Sequence, residues 1–568
     1  MRQHDEVKDP DSVLPQCAEE YIAAVVKKMR GRRRARRSVR SELVAHFEDE
    51  LKDCATTPQR EEKARRLIEG FGDARLLAVL CRRAKKRCRP LWAKVVVRSL
   101  QVLGIVVLYF LMCSGRLFVG RPNVTVDYAA ALSEQVRQGR DESLNAKPYF
   151  DEAAKLSDAQ PYVYQILSER ESWWPGDMNE PQRRAVAELL ENGAEALEVF
   201  SKGVAKPGYW ADYRPPAAQP ARTSGQGPAL EIAGPGLAPA VLAGVMPSLG
   251  SYKKLARKLA LRASWRAWQG DLEGACADCL ALHKIGWHME GRGLIVEQLV
   301  GTAIEGLARG TILMIADRAD IPADLLGSMQ QQLQQQFSER DVVVRFEAGK
   351  IFWYDYVQKT FTDDGEGGGR PLGVALPLVA GDWKDGLLGL VTFSYPGRRE
   401  TMRKIDEFYR QAELLLEQPP WQTGRSDEAE RLKKIVADSF LLHAVADSAV
   451  RLGHLAWRTK TGRHALVTIL ALLRYRKDKG VYPDDLNTLL AAGYVREIPI
   501  DPYSGRPLGY RKTTDRCVLY SWGENLTDDG GRLGTGRDGK PRMWAFNGDW
   551  VFWPVERDGR SAIHDKGI

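Results

Sequence analysis

The chain has 568 residues, 44% hydrophobic and 28% charged, a balance that excludes a disordered or fibrous protein. That length is too great for one ordinary core and predicts three or more folded units. The net charge of +9 is concentrated in residues 1–90, where 23 Lys/Arg face 15 Asp/Glu, so a basic surface over the whole protein is excluded.

Residues 1–90 read as a helical domain. Tyr21, Val25, Val26 and Met29 recur at helical spacing, and Val39, Leu43, Phe47 and Leu51 mark a second helix. Seven Arg occur between Arg30 and Arg40. Thr57 as N-cap, with Pro58 at the first helical position, starts a third helix through Ala64, Leu67 and Ile68. Gly70-Phe71-Gly72 ends it, and Asp73 caps a fourth through Leu76, Leu77 and Leu80. The Arg run invites a nucleic-acid reading, because clustered cations bind phosphates. No interleaved aromatic platform and no DNA-binding motif accompany it, so anionic lipid headgroups are the expected partner and nucleic acid is not.

Leu91 to Val119 supplies the ~20 apolar residues that a transmembrane helix needs, flanked by Trp92 and Phe118. Arg98 and Gln101 lie near its start, where a long side chain reaches back to the headgroups. Arg82, Arg83, Lys85, Lys86, Arg87, Arg89 and Lys94 precede its core, whereas only Arg116 and Arg121 follow closely. The positive-inside rule puts the N-terminus in the cytoplasm and the C-terminal region outside it. The segment starts too far from residue 1 for a cleaved signal peptide. The alternative is a core helix of a soluble protein.

Beyond the membrane, residues 120–202 carry helical periodicity, as in Val186 to Phe200, and 203–250 are rich in Pro, Gly and Ala and read as irregular chain. An α-helical region spans 251–460. Gly270-Asp271 breaks Tyr252–Asp317 into a hairpin, and Ile321-Pro322 opens a helix in which Met329, Leu333 and Phe337 form a stripe. Phe361 to Trp383 is a Gly-rich loop, followed by helices near 398–417 and 426–459. No fixed repeat period appears.

Two clusters carry chemistry. Cys276-Ala-Asp-Cys279 has the spacing of a redox or metal pair, with His283 and His288 downstream, but no second ligand pair. Small residues packing a helical hairpin is the plainer reading. His443, Asp447 and His454 fall near one helical face, against the plainer reading of a paired polar face. No nucleophile elbow, phosphate loop or dinucleotide fingerprint appears, so no catalytic residue is assigned and no enzyme is expected.

The C-terminal residues 461–568 form a small α+β domain. A helix over 464–479 buries Leu466, Ile469, Leu470 and Leu473, and Gly480 stops it. Pro483-Asp484-Asp485 starts a short helix through Leu486, Leu489 and Leu490. Ile498-Pro-Ile-Asp-Pro-Tyr-Ser-Gly505, a hairpin of 508–512 with 517–521, a loop from Trp522 to Gly531 and a strand at Asp549–Pro554 complete it.

Two resemblances follow. Arg40-Ser-Glu-Leu43, His46-Phe-Glu-Asp49 and Phe71-Gly-Asp-Ala74, ahead of a basic stretch and a membrane helix, resemble the α-helical prefix domains of bacterial sensor proteins and some permeases. Gly480-Val-Tyr-Pro483, the Pro499-Ile-Asp-Pro-Tyr503 turn, the hairpin ending in Ser521-Trp-Gly523 and the Asp/Gly loop closely resemble the globular half of the major pseudopilin of type II secretion. The second resemblance implies a calcium ion held by Asn525, Asp528, Asp529 and Asp549; an Asp/Gly turn with no ion is the alternative. A pseudopilin keeps its apolar helix beside its head, whereas this one lies ~350 residues upstream, so fold likeness does not carry the function across.

The expected whole is mainly α: a cytoplasmic prefix (1–90), one transmembrane helix (91–119), a large extracytoplasmic helical region and a pseudopilin-like head. The expected role is structural or interactive, in envelope assembly or secretion at the cytoplasmic membrane, through unidentified protein partners. A membrane-bound sensor is the alternative, and a redox or metal enzyme a more distant one.

Overall fold

A computed structural model describes residues 14–29, 33–87, 91–158, 173–214, 245–339, 344–372, 396–423, 432, 434–435, 440–514 and 516–555. The described chain is mainly helical and divides into two compact units, Met1–Met112 and Cys113–Ile568.

In the first unit, α1 (Gln16–Lys28), α2 (Arg33–Leu51), α3 (Thr57–Phe71) and α4 (Ala74–Arg87) enclose a small core. Val39, Leu43, Phe47 and Leu51 are all buried, as their spacing predicts. The turn Phe71-Gly-Asp-Ala74 is the keystone. The Phe71 ring packs on Tyr21, His46 and Phe47 at 5.5–6.4 Å. Gly72 takes φ +73°, a conformation that glycine adopts without strain, and Tyr21 donates to its carbonyl. Two expectations shift. Thr56, not Thr57, occupies the N-cap of α3. On α4 the core face is Ala74 and Ala78, while Leu76 and Leu80 are more than half exposed, because the chain enters α4 rotated relative to the predicted stripe.

Helix α5 (Leu91–Phe118) carries an 18-residue window, Val95–Met112, of mean hydropathy 2.2, and the protein covers none of it. One other described helix passes the same length and hydropathy test; its window is 67% buried within the second unit.

The second unit begins with α6 (Tyr128–Arg137), α7 (Lys147–Asp158), α8 (Glu180–Asn192) and α9 (Ala194–Val204). Asn179 and Gln182 form a reciprocal capping box on α8. The Pro/Gly/Ala-rich stretch is partly core: Tyr209, Trp210 and Tyr213 are buried, because their rings close the space over α7 and α9. Residues 215–244 lie outside the described residues.

The centre of the unit is α10 (Met246–Gln269), α11 (Leu272–Met289) and α12 (Ile295–Arg318). Gly270, at φ +91°, ends α10, and Asp271 caps α11 through Gly274 N at 2.9 Å, the predicted hairpin. Helices α11 and α12 cross at Gly286 and Gly301. A Cβ on Gly286 would stand 2.7 Å from the Gly301 carbonyl oxygen, and one on Gly301 equally close to that of Gly286. Helix α13 (Ala323–Glu339) follows with Met329 and Leu333 inward. A second core joins α14 (Glu347–Thr360) and α15 (Arg398–Glu417) through Tyr356, Phe408 and Tyr409. After the short α16 (Pro420–Thr423) comes α17 (Phe440–Lys479), one helix of 40 residues.

Helix α17 runs unbroken through residues 460 and 461, where separate helices near 426–459 and over 464–479 and a domain boundary between them were expected, and ends at Gly480 with φ +75°. Its C-terminal half packs on α13 and on a three-stranded antiparallel sheet, β1 (Gly509–Lys512), β2 (Cys517–Ser521) and β3 (Trp550–Trp553), with Gly509 opposite Tyr520 and Lys512 opposite Cys517. Helix α18 (Leu486–Ala491) buries Leu486 and Leu489, but Leu490 is exposed because the helix makes less than two turns. One continuous apolar core holds Leu259, Ile312, Leu470, Leu519 and Phe552, so helical body and C-terminal sheet share an interior.

Candidate functional site

Three places in the second unit bear on function. The first is the Asp/Gly loop. Asp549, just before the last strand, is fully buried, and its carboxylate accepts from Gly531 N at 2.6 Å and Asp529 N at 3.3 Å. Burial and the nearby Asp529 and Asp528 raise its pKa to about 6, against the opposing backbone N–H bonds. Asp528 accepts from Tyr520 Oη at 3.0 Å and Gly530 N at 2.9 Å. Asn525 donates from Nδ2 to Asp529 at 2.8 Å while its Oδ1 accepts from Thr527 N. Asn525, Asp528 and Asp529 thus lie in one loop that closes on Asp549, and each of the four expected calcium donors already has an atom engaged in that closure. Among the described residues, no three His, Cys, Asp or Glu side chains form a group that could hold a metal ion.

The neighbouring Asp501 was read only as part of a turn. It is fully buried and accepts from Ser521 Oγ at 2.8 Å, Tyr503 N at 3.1 Å and Trp522 N at 3.2 Å. It therefore pins the Pro499–Gly505 turn to the end of the hairpin. The two most motif-like pieces of the C-terminal region are one hydrogen-bonded unit.

The second place is the Cys pair. Cys276 and Cys279 are free and buried on α11. Burial pushes the Cys276 thiol up to about 11 and Cys279 well above the usual range, the opposite of what a reactive thiolate requires. The pair packs a helical hairpin. Of the other cluster, His454 is exposed and lies 3.9 Å from Glu524; the side chains of His443 and Asp447 lie outside the described residues.

The third place was not legible as a site. Arg463, in the middle of α17, reaches across to Glu290 and Glu305 at 2.5 Å each, and all three are almost completely buried. His283 stands 3.5 Å from Glu305. Burial alone would raise the pKa of Glu305, but Arg463 and His283 outweigh it and hold the carboxyl well below its usual range. A buried carboxylate pair needs such a partner, since desolvation of unpaired charge is costly. Next to it, Arg309 and Arg458 both face the ring of Trp544, at 5.6 and 5.7 Å. These contacts link α12, α17 and the C-terminal loops through charge. The signal in the sequence was the acidic residues of Ile295–Arg318: Glu297 and Glu305 interrupt an otherwise apolar helix, and such groups must find partners inside.

No known family model, curated protein or solved structure matches the chain.

Proposed function

We propose that the protein is a single-pass membrane-anchored scaffold, with the basic helical unit in the cytoplasm and the larger unit on the other side. One observation carries this reading: Val95–Met112 is long, apolar and wholly uncovered, with Ile105, Leu108 and Met112 each more than 60% exposed. An apolar face of that size in water is untenable for a monomer, and a bilayer covers it. The second apolar helix, α12, is accounted for by protein packing. Glu297 accepts from Tyr209, Tyr213 and Leu294 N, and Glu305 pairs with Arg463, so these charges face partners rather than lipid. The role in envelope assembly rests on the likeness of the C-terminal turn, hairpin and loop to a pseudopilin head.

The test is a pair of topology reporters, one fused after Lys86 and one after Asp127. An enzyme that is active only outside the cytoplasm should be silent at the first site and active at the second. Equal signals at both sites overturn the single span.

A further inference from the structure

Between α10, α12, α17 and the C-terminal loops lies a cavity of about 170 Å³. Its wall carries four cations: Lys253 and Arg257 from α10, Arg309 from α12 and Arg458 from α17. Thr459 and the ring of Trp544 complete it, and no Asp or Glu is among its lining residues. Glu290 and Glu305 lie nearby but are held by Arg463, and Glu524 is held by Arg458 at 2.8 Å. Arg309 is the telling residue. It is 8% exposed, yet among the described residues no hydrogen bond or ion pair reaches its guanidinium; it faces the ring of Trp544 and is drawn only at longer range by the Glu305 and Glu290 carboxylates that Arg463 holds. Gly462 leaves it room, since a Cβ there would stand 2.4 Å from Nη1. The protein thus buries a fork of N–H donors and aims it into a cavity lined by like charges. Burial lowers the pKa of both Arg309 and Lys253, with Arg257 adding to the strain on Lys253.

We propose that this cavity binds a small phosphate monoester, its phosphate held by Arg309, Lys253 and Arg257 and its organic group against Trp544. Guanidinium forks match phosphate oxygens two at a time, and several cations without a carboxylate suit a dianion better than a single carboxylate. The volume is below the roughly 300–1,000 Å³ of ordinary cofactor pockets, which excludes a dinucleotide. It seats a phosphate, and because the cavity is open on one side the organic group extends along Trp544 toward the surface. The phosphate comes either from a soluble ester or from a lipid headgroup such as phosphatidic acid. The site lies wholly within the second unit and stands or falls independently of the membrane anchor.

The test uses the full-length protein purified in detergent. Calorimetry and thermal unfolding are run with inorganic phosphate, with phenyl phosphate and with vesicles containing phosphatidic acid, against chloride at equal ionic strength. Saturable binding is expected, tighter for phenyl phosphate than for inorganic phosphate, or confined to the vesicles if the headgroup is the source. Arg309→Gln should abolish it. The double variant Lys253→Gln/Arg257→Gln, which touches no buried ion pair, should weaken it about tenfold, ~1.4 kcal/mol. Gly462→Ala, which removes no charge but takes the seat of the guanidinium, should weaken it too. Circular dichroism confirms folding of each variant. The proposal is overturned if no phosphate source binds better than chloride, or if the folded double variant binds as the parent does.

Discussion

Helices α5 and α12 are alike by length and hydropathy, 2.2 against 1.4 over their windows, yet the protein covers none of the first and two thirds of the second. The difference lies in the residues that hydropathy averages away. The α5 window carries one charge, Arg98, near its start; α12 carries Glu297, Glu305 and Arg309 along its length, all buried. It also carries Gly301, which lets α11 come close enough for backbone contact. A helix built for lipid needs only an apolar surface, whereas a core helix needs specific partners on every side.

Substitutions at equivalent features of the two helices should therefore part company. Arg463→Met strands the Glu290–Glu305 pair and should destabilise the second unit by about 3–5 kcal/mol in denaturant unfolding. Arg98→Leu, in α5, should leave unfolding unchanged, because Arg98 is exposed. Gly286→Ala forces α11 off α12 and should cost about 1–3 kcal/mol by the same measurement. Gly104→Ala in α5 meets nothing within 4 Å and should cost nothing measurable.

Acid titration offers a finer contrast within α12. Burial raises the pKa of Glu297 above the ordinary carboxylate value, about 4.5, against the hydrogen bonds of Tyr213, Leu294 and Tyr209. The folded state then holds the proton longer than the unfolded state, so this group's contribution falls as pH rises above 4.5. Glu305 is shifted the other way. Its contribution is present above its unfolded value and is lost as pH falls toward the folded one. Stability measured against pH should decline on both sides, and Glu297→Gln should flatten only the alkaline side. The smallest effect concerns the C-terminal loop. It closes on Asp549 by backbone hydrogen bonds, so millimolar calcium should move the unfolding temperature little. A large saturable rise would establish the calcium site expected at Asn525, Asp528, Asp529 and Asp549.

Much of the fold was readable because its signals are local. The stripe Val39–Leu51, the Gly270-Asp271 break, the span of α15 and both hairpin strands follow from periodicity and turn chemistry over a few residues. What escaped depends on distant partners. Nothing near Arg463 announces Glu290, 173 positions earlier, and nothing near Trp544 announces Arg309. The boundary placed at residues 460/461 failed to foresee one 40-residue helix, because Thr459, Thr461 and Gly462 between the two expected helices do not break it. The burial of Tyr209–Tyr213 was masked by its Pro- and Gly-rich surroundings, although three aromatic residues in five positions favour the interior.

The division between the two helices is tested most directly by producing residues 120–568 without α5. The account predicts that this chain stays in the supernatant after high-speed sedimentation without detergent, with a helical circular dichroism spectrum and cooperative unfolding. Recovery in the membrane pellet, released only by detergent, would show that α12 or another part of the second unit meets lipid, and would contradict the account.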